Sequence, residues 1–383
     1  MSVYLDHNAT TPIDNEVLDA MMPFLHDYYG NPASVHSYGR KTRVALDQAR
    51  EQVASLVKAH PGQVIFTSGG TESNNLAIKG ITPSKKLNAI AISEIEHTSI
   101  IAPAQAMQKR GWELDLIKAD SGGRVLPAAL ADVIRDETCL VSVMMANNET
   151  GVLQDVAAIS DMARAHGIIV HTDAVQAAGK IAIDFESTGA HMMSLSAHKL
   201  YGPKGVGALI VDKSLELEPL IHGIGHEMGM RGGTENVAGI VGFGKAAELA
   251  MNNLEKRTSC LLELRRYLEN GLHGMAGVTI VAGQSARLSN TICMLAQGIE
   301  GETLLMNLDR AGIAVSSGSA CASGSTNPSH VLLAMGIDRD LARCAIRISL
   351  GKDNTHTDID IFLNALGREV AKLQMPELSA WAS

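Results

Sequence analysis

The amino-acid sequence predicts an α/β protein with a large, mostly parallel sheet and a second, smaller α+β domain. Helical and strand patterns alternate between about residues 39 and 212, which is typical of a parallel sheet covered by helices on both faces. After residue 212 the alternation gives way to a glycine-rich stretch, HGIGHEMGMRGGTEN. The length of 383 residues also favours two domains, because a single hydrophobic core seldom grows beyond about 250–300 residues.

The first part of the chain contains seven candidate strands and the helices that connect most of them. In residues 39–59 the apolar positions Val44, Ala49 and Val53 recur at helical spacing, and Pro61-Gly62 ends this pattern. Further helices are predicted near 99–110, 127–135 and 155–166. Short apolar runs predict strands at 64–66, 89–92, 114–117, 140–145, 168–171, 192–195 and 207–211.

The second part begins with a long helical region at about 235–270. Shorter strands are predicted at 278–281, 289–295 and 345–350, with helices near 301–311, 327–335 and 356–373. We therefore predict a large domain over residues 12–257. The small domain would combine residues 1–11 with 258–383 and would carry a cysteine-containing loop at about 317–327.

Composition and charge exclude several classes of protein. The net charge of -9 argues against a nucleic-acid-binding surface, which needs clustered Lys and Arg. The longest mostly apolar run, 139–146, is too short to span a membrane, and the N-terminus MSVYLDHNATTP lacks the pattern of a secretory signal. Five scattered cysteines without a CxxC pair fit a reducing compartment and neither a disulfide framework nor a zinc site. We expect a cytoplasmic protein with no metal site of its own.

Polar residues that follow predicted strands point to a cofactor. The segment Thr67–Asn74 comes after a strand and opens a helix near Asn75, and a helix N-terminus of small residues suits a phosphate. Asp173 ends the strand IIVHTDA, and Lys199 follows the strand MMSLS. Pyridoxal phosphate needs a lysine for its Schiff base and a carboxylate at its pyridine nitrogen. Taken singly, these residues have ordinary alternatives, namely helix capping and a solvated lysine.

The order of motifs along the chain resembles one known family. The motifs are YLDHNATTP, GNPASVHSYGR, FTSGGTESNN, EIEHTSI, NNETGVLQD, HTDAVQAAGK, SAHKLYGPKGVG, MRGGTEN and SSGSACASGS. They resemble the pyridoxal-phosphate-dependent cysteine desulfurases of the NifS/IscS-like group, and they cover nearly the whole chain. The resemblance implies the fold type I architecture of these enzymes, with a mostly parallel seven-stranded sheet and a smaller α+β domain.

The resemblance also implies roles for the matching residues around pyridoxal phosphate. Lys199 would form the Schiff base, and His97 would stack on the cofactor ring and transfer protons. Asp173 would pair with the pyridine nitrogen, while Asn148 and Gln176 would bond near the phenolic oxygen. The residues implied to hold the phosphate are Gly70, Thr71, Ser196, His198 and, from the neighbouring subunit of a homodimer, Thr234.

The substrate and the sulfur acceptor follow from the same resemblance. Arg347 and Asn31 would fix the carboxylate of L-cysteine, and Cys321 would take the sulfur as a persulfide, leaving L-alanine. The Gly-, Ser- and Ala-rich sequence around Cys321 cannot bury much apolar area, which predicts an exposed, mobile loop. An acceptor protein such as an iron–sulfur scaffold would receive the sulfur, and Cys321 could transiently ligate a cluster with that partner. The C-terminus looks shorter than in family members that dock the scaffold through their tails.

Other interpretations of the sequence remain open at this point. A selenocysteine lyase or an aminotransferase could share the fold, and a non-enzymatic partner-binding protein could retain it. Residues 239–245 have the spacing of a phosphate-binding P-loop, but Ala246 replaces the required Ser or Thr, so a tightly packed helix face is the preferred interpretation. His222 and His226 lie four residues apart in a glycine-rich stretch, where a metal site is not expected.

Overall fold

The computed structural model describes residues 2–81, 88–223, 225–317 and 327–374. Cys321 and the rest of segment 318–326 lie outside the described residues. The strands are β1 (Val3–Tyr4), β2 (Val64–Thr67), β3 (Ala89–Ser93), β4 (Glu113–Ile117), β5 (Thr138–Ser142), β6 (Ile169–Asp173), β7 (Met192–Ser196), β8 (Gly207–Val211), β9 (Val278–Ile280), β10 (Thr291–Ala296), β11 (Ile313–Ala314), β12 (Ser316–Ser317) and β13 (Ala345–Ser349).

The helices occupy most of the chain between these strands. They are α1 (Asn15–His26), α2 (Ser37–Leu56), α3 (Gly70–Lys79), α4 (Thr98–Gln108), α5 (Pro127–Ala131), α6 (Val156–Ala165), α7 (Val237–Asn252), α8 (Leu254–His273), α9 (Gly301–Arg310), α10 (His330–Ala334), α11 (Arg339–Ala342) and α12 (His356–Gln374). Among the described residues, none of these helices is both long and apolar enough to span a membrane.

The large sheet has seven strands in the order β2-β8-β7-β6-β5-β3-β4. The pairs from β7 through β4 are parallel, whereas β8 runs antiparallel to both of its neighbours. Strands β2, β3, β5, β7 and β8 are buried along their whole length. Burial on both faces explains their continuous apolar sequences, and the predicted mostly parallel seven-stranded sheet is confirmed.

Alternate side chains of each strand enter two different cores. Phe66 packs in the core that also contains Leu46 of α2 and Phe243 of α7. Ile65 points to the opposite face, where the core contains Leu76 of α3 and Ile100 of α4. Because successive side chains of a strand alternate between faces, these helices cover the sheet as two separate layers.

A second, antiparallel sheet has the order β12-β13-β10-β9. Its core combines Leu268 of α8, Leu304 of α9 and Phe362 of α12. Val3 of β1 joins the same core and pairs in parallel with Ile313 of β11. The N-terminal strand thus packs beside segments more than 300 residues away in sequence, although the exact domain boundaries stay a prediction.

Two expectations about helices are corrected by the structure. The long helix predicted at 235–270 is two helices, because Asn253 leaves the helical conformation; α7 then packs on the large sheet and α8 on the small domain. Helix α3 begins at Gly70 and not near Asn75, because Gly69, at φ 149°, already turns the chain into the helix. Few residues other than glycine adopt such a backbone conformation.

The preferred interpretation of residues 239–245 as a helix packing face is confirmed. The segment lies inside α7, and a Cβ atom at Gly244 would approach the Cα atom of Ala49 in α2 to 2.7 Å. A Cβ atom at Gly242 would meet the sulfur of Met21 at 2.5 Å. Glycine is therefore required here for close helix packing.

Candidate active site

A cavity of about 340 Å³ lies at the carboxyl edge of the large sheet. It brings together most of the residues predicted to form the site. The predicted residues that line it are Gly70, Thr71, His97, Asn148, Asp173, Gln176, Ser196, His198, Lys199 and Arg347. This edge is where ligands bind in open α/β sheets, because the loops after parallel strands meet there.

The sequence positions of these residues explain why they meet. Gly70 follows β2, His97 follows β3, Asn148 follows β5, Asp173 ends β6 and Lys199 follows β7. All five of these strands run in the same direction, so their carboxyl ends lie on one edge. The common direction of these strands thus brings together side chains that are more than 100 residues apart in the sequence.

Asp173 presents a buried and oriented carboxylate to the cavity. Its Oδ2 accepts a 2.7 Å hydrogen bond from Nδ2 of Asn74, and its Oδ1 accepts one of 2.9 Å from the backbone N–H of Val175. Nδ2 of Asn74 also donates to Oγ of Ser99 at 2.8 Å. These donors hold the carboxylate in one orientation, as a partner for a protonated ring nitrogen must be held.

Lys199 enters the cavity from a single 3-10 turn, Ala197–Lys199, directly after β7. Its Nζ donates to the backbone carbonyl oxygens of Asn8 at 2.5 Å and Ala9 at 2.7 Å. Both acceptors belong to the N-terminal segment, which the small domain anchors. These two backbone carbonyl oxygens therefore help to position the amine.

His97 caps the N-terminus of α4 and faces the cavity. Its Nδ1 accepts a hydrogen bond from the backbone N–H of Ser99 at 3.1 Å and lies 2.7 Å from Oγ of Ser99. Since Nδ1 acts as an acceptor, the proton of the neutral ring is assigned to Nε2. Burial lowers the pKa of His97, and the cations Lys199 and Arg347 lower it further, whereas Asp173 raises it. The ring is consequently neutral at pH 7 and can exchange a proton.

The end of the cavity near α3 is suited to an anion. Helix α3 has no side chain capping its first turn. Ser196 contributes a buried hydroxyl for which no hydrogen-bond partner is found among the described residues. A Cβ atom at Gly70 would lie 2.8 Å from Cγ2 of Val175, so glycine keeps this turn open. Free N–H groups at a helix N-terminus, together with an unpaired hydroxyl, form a ready site for a phosphate.

His198 lies beside this anion site as a neutral donor. Its Nδ1 is 3.2 Å from Oγ1 of Thr10, and burial, followed by the nearby charges of Lys199 and Lys204, lowers its pKa to about 4. A neutral imidazole can donate one hydrogen bond to a phosphate while its other nitrogen bonds to the protein.

Arg347 comes from β13 of the small sheet and is only 4% exposed. One terminal nitrogen donates to Oδ1 of Asp6 at 2.7 Å and the other to the carbonyl oxygen of Asn148 at 3.2 Å. Its Nε is buried and has no hydrogen-bond partner among the described residues. A guanidinium with unused donors beside a cavity is suited to a carboxylate, which it can bind through two parallel hydrogen bonds.

Three predicted site residues are not placed at the cavity. Asn31 and Thr234 are exposed and do not line it. The side chain of Asn31 instead accepts a 2.9 Å hydrogen bond from the backbone N–H of Ala33. Cys321 falls in the segment outside the described residues. The roles of these three residues stay predictions.

The structure adds residues that sequence reasoning did not assign. Asn8, Asn74 and Ser99 line the cavity, and Lys180 lies behind it in contact with Gln176. Each belongs to a motif quoted above, namely YLDHNATTP, FTSGGTESNN, EIEHTSI and HTDAVQAAGK. Their position in these motifs, close to residues already predicted to form the site, was the sequence signal that could have identified them.

The cavity residues fit pyridoxal phosphate by their chemistry. An amine, an oriented carboxylate and an anion site occur in the same cavity, and each matches one functional part of that cofactor. Lys199 would hold its carbonyl carbon, Asp173 its pyridine nitrogen, and α3 with Ser196 its phosphate.

Comparison with known proteins gives the family. The class-V aminotransferase family model matches residues 3–362. The cysteine desulfurase IscS of Dictyoglomus turgidum is 44% identical over 375 residues, which cover 97% of this chain and 95% of that protein. The chain belongs to this family of cysteine desulfurases. Its enzymes depend on pyridoxal phosphate, in agreement with the residues of the cavity.

Solved structures of NifS-like proteins share the fold of this chain. A NifS-like protein, 37% identical, superposes with a TM-score of 0.91 and covers 97% of this chain and 100% of its own. A NifS-like protein from Rickettsia africae, 34% identical, has a TM-score of 0.89 with the same coverage. The fold type I architecture expected from the motifs is confirmed.

Proposed function

We propose that this cysteine desulfurase works through Lys199, His97 and Arg347 in the cavity and through Cys321 as the sulfur acceptor. Its overall reaction converts L-cysteine and the Cys321 thiol into L-alanine and a Cys321 persulfide. The main support is that an amine, a neutral imidazole, a carboxylate and an arginine line one cavity in a chain of this family. None of these groups would support the proposed reaction by itself.

Two residues prepare the site for the cofactor. Bound pyridoxal phosphate supplies an electron sink that weakens the bonds around the substrate's α-carbon. Asp173 keeps a proton on the ring nitrogen, because its carboxylate is held by Asn74 and by the backbone of Val175. Lys199 provides the attaching amine, and its two carbonyl acceptors keep Nζ directed into the cavity.

Other residues orient the substrate and move its protons. Arg347 binds the substrate carboxylate, and Asp6 fixes the guanidinium in the required plane. His97 exchanges a proton at Nε2 with the substrate, which requires a neutral ring near pH 7. Asn31 stays a predicted second partner of the substrate carboxylate.

Sulfur transfer is assigned to Cys321 from its sequence context. The Cys321 thiolate attacks the substrate sulfur, forming an S–S bond while the substrate C–S bond breaks. The electron pair of the broken bond stays on the carbon skeleton, which then takes up a proton and leaves as L-alanine. An acceptor protein then receives the persulfide sulfur, and an iron–sulfur scaffold is the partner we propose.

The two alternative activities differ from the proposed one in their products or in their preferred substrate. An aminotransferase would move the amino group of the substrate and would not form alanine from cysteine. A selenocysteine lyase would act on selenocysteine in preference to cysteine. The relatives found do not favour either alternative.

The decisive assay measures alanine and sulfide from L-cysteine with dithiothreitol as the reducing acceptor. We expect the two products in equal amounts in the presence of pyridoxal phosphate, and a matched reaction with L-selenocysteine distinguishes the lyase. Transfer of the amino group to an oxo acid without alanine formation would contradict the proposed function.

A homodimer is proposed from an exposed apolar surface. Side chains on α1, α2 and their connection remain exposed, namely Leu25 at 59%, Tyr29 at 76%, Val35 at 88% and Val44 at 67%. A cluster of large apolar groups in one sequence region is typical of a protein interface. Thr234, which the resemblance places at the neighbouring subunit's phosphate, is exposed and thus available to a partner.

Replacing Thr234 by alanine tests the shared site. Loss of one hydrogen bond to a charged phosphate is expected to weaken cofactor binding by about 1.5–3 kcal/mol, which is about tenfold or more in Kd. Cofactor titration followed by fluorescence measures this change, and light scattering should give the mass of a dimer. Thr357→Ala, at an exposed position of α12, is the matched control. A fully active monomer, or unchanged cofactor affinity in Thr234→Ala, would contradict the assignment.

We also propose that the protein acts in the cytoplasm. The proposal rests on the odd number of cysteines and the absence of a CxxC pair from the sequence, a pattern that fits a reducing compartment.

A further inference from the structure

Lys180 is a partly buried lysine that contacts two residues of the cofactor cavity. Its Nζ donates to Oε1 of Gln176 at 2.9 Å and to Oδ1 of Asn8 at 3.0 Å. Within the ranges that the structure describes, no carboxylate forms an ion pair with it. Burial, followed by the charges of Lys199 and Arg347, lowers the pKa of Lys180 to about 7. The charged form of such a partly buried lysine is costly, which calls for a compensating role.

The first effect of Lys180 concerns the amide of Gln176. An ammonium has three donors and no acceptor, so only the oxygen end of an amide can face it. Oε1 of Gln176 therefore points at Lys180, and Nε2 must point the other way, where it donates to the carbonyl oxygen of Asn8 at 2.9 Å. Without Lys180, only the hydrogen bond to the carbonyl oxygen of Asn8 would hold this orientation among the contacts of the described residues.

The second effect concerns the backbone that contacts Lys199. Oδ1 of Asn8 accepts from both Lys180 and Nδ2 of Asn290, each at 3.0 Å, so its Nδ2 is left to donate to the carbonyl oxygen of Asn148 at 3.2 Å. The backbone oxygen of the same Asn8 accepts from Lys199 at 2.5 Å. Lys180 thus binds the side chain of Asn8, whose backbone carbonyl oxygen binds Lys199.

We propose that Lys180 is a positioning residue, which holds the oxygen ends of the Gln176 and Asn8 amides and, while protonated, places a positive charge behind Lys199. This inference rests on the proposed function, in which Lys199 carries the cofactor and Gln176 bonds near its phenolic oxygen. Lys180 itself does not line the cofactor cavity.

The charge of Lys180 has a defined consequence for Lys199. A nearby positive charge disfavours a second one, and Lys199 and Lys180 are close enough to interact in this way, so removal of Lys180 should favour protonation of the Lys199 nitrogen. Other titratable or charged groups also face Lys180, and the pKa of one of them, His7, is lowered in part by Lys180 itself. They are His7, Lys199, Tyr201 and Arg257, which share a small cavity of about 20 Å³ with Lys180, and Arg347.

The test is a pH titration of the loaded enzyme, followed by the absorbance of its bound cofactor. In Lys180→Met, which keeps a side chain of similar length, we expect the pKa of the Lys199 nitrogen to rise by about one unit. Lys180→Arg keeps a positive charge at every pH of the titration and should therefore not raise this pKa. Lys58→Met, at an exposed lysine that does not line the cavity, is the matched control.

Cofactor-free protein provides the second readout. Thermal unfolding of the apo forms shows whether Lys180→Met folds, and Lys180→Arg carries the test if it does not. A titration of folded Lys180→Met that coincides with the wild type would overturn the inference, as would an equal shift in Lys180→Arg. A wild type that binds no pyridoxal phosphate would instead overturn the proposed function, so the two failures are distinguishable.

Discussion

Replacing Lys199 by alanine is expected to give a folded, inactive protein without the yellow colour of the wild type. In the proposed function the amine of Lys199 is the attachment point of the cofactor, and alanine cannot replace it. The carbonyl oxygen of Asn8 keeps its hydrogen bond from Gln176 at 2.9 Å, so one of the two acceptors freed by the substitution stays bonded. We expect alanine formation from L-cysteine to fall by at least about 10³-fold, as when other covalently acting residues are removed.

The measurement combines absorbance of the purified protein with the assay of alanine release. An external amine such as methylamine should restore part of the activity of Lys199→Ala, because it supplies the missing nitrogen in solution. Lys213→Ala, at an exposed lysine outside the cavity, should behave like the wild type. Wild-type colour and turnover in Lys199→Ala would disprove the assignment of the cofactor lysine.

Replacing Cys321 by alanine is expected to stop sulfur transfer without affecting cofactor binding. The variant should keep its colour and bind L-cysteine, yet form no persulfide and release almost no sulfide. Cys321→Ser should fail equally, because a hydroxyl is far less ionised than a thiol at neutral pH and is a poorer nucleophile toward sulfur. Mass spectrometry of the peptide that contains residue 321 detects the added sulfur in the wild type.

The other four cysteines are the natural controls for this experiment. Burial raises the pKa of Cys139 to about 11 and that of Cys293 to about 12, so neither thiol ionises appreciably at pH 7. Cys344 is buried too, whereas Cys260 is exposed on α8 and is the more demanding control. Alanine at each of the four should leave turnover largely intact. Wild-type turnover in Cys321→Ala would favour a lyase that expels sulfur without a protein thiol.

Much of the fold could be predicted because its signals are local. The short apolar runs of β2, β3 and β7 mark buried strands, and the alternation with helices implies a parallel sheet. The errors occurred where a local pattern did not determine the backbone. A continuous helical pattern spans Asn253, yet the chain breaks there because α7 and α8 pack against different cores. Such a break depends on partners that are distant in sequence.

The sequence alone determined the chemistry of this protein: the amine of Lys199, the carboxylate of Asp173 and the motifs that mark the family. The tertiary structure decided which groups meet. Arg347 reaches the strand ends from the small sheet, although it lies 148 residues after Lys199 in the sequence. The backbone of Asn8 reaches them from the N-terminal segment, 191 residues before Lys199. The contacts of Lys180 with Gln176 and Asn8 could be found only in the structure, because they depend on how distant segments of the chain pack together. Residue types are local properties, whereas contacts between distant segments arise from burying the shared cores.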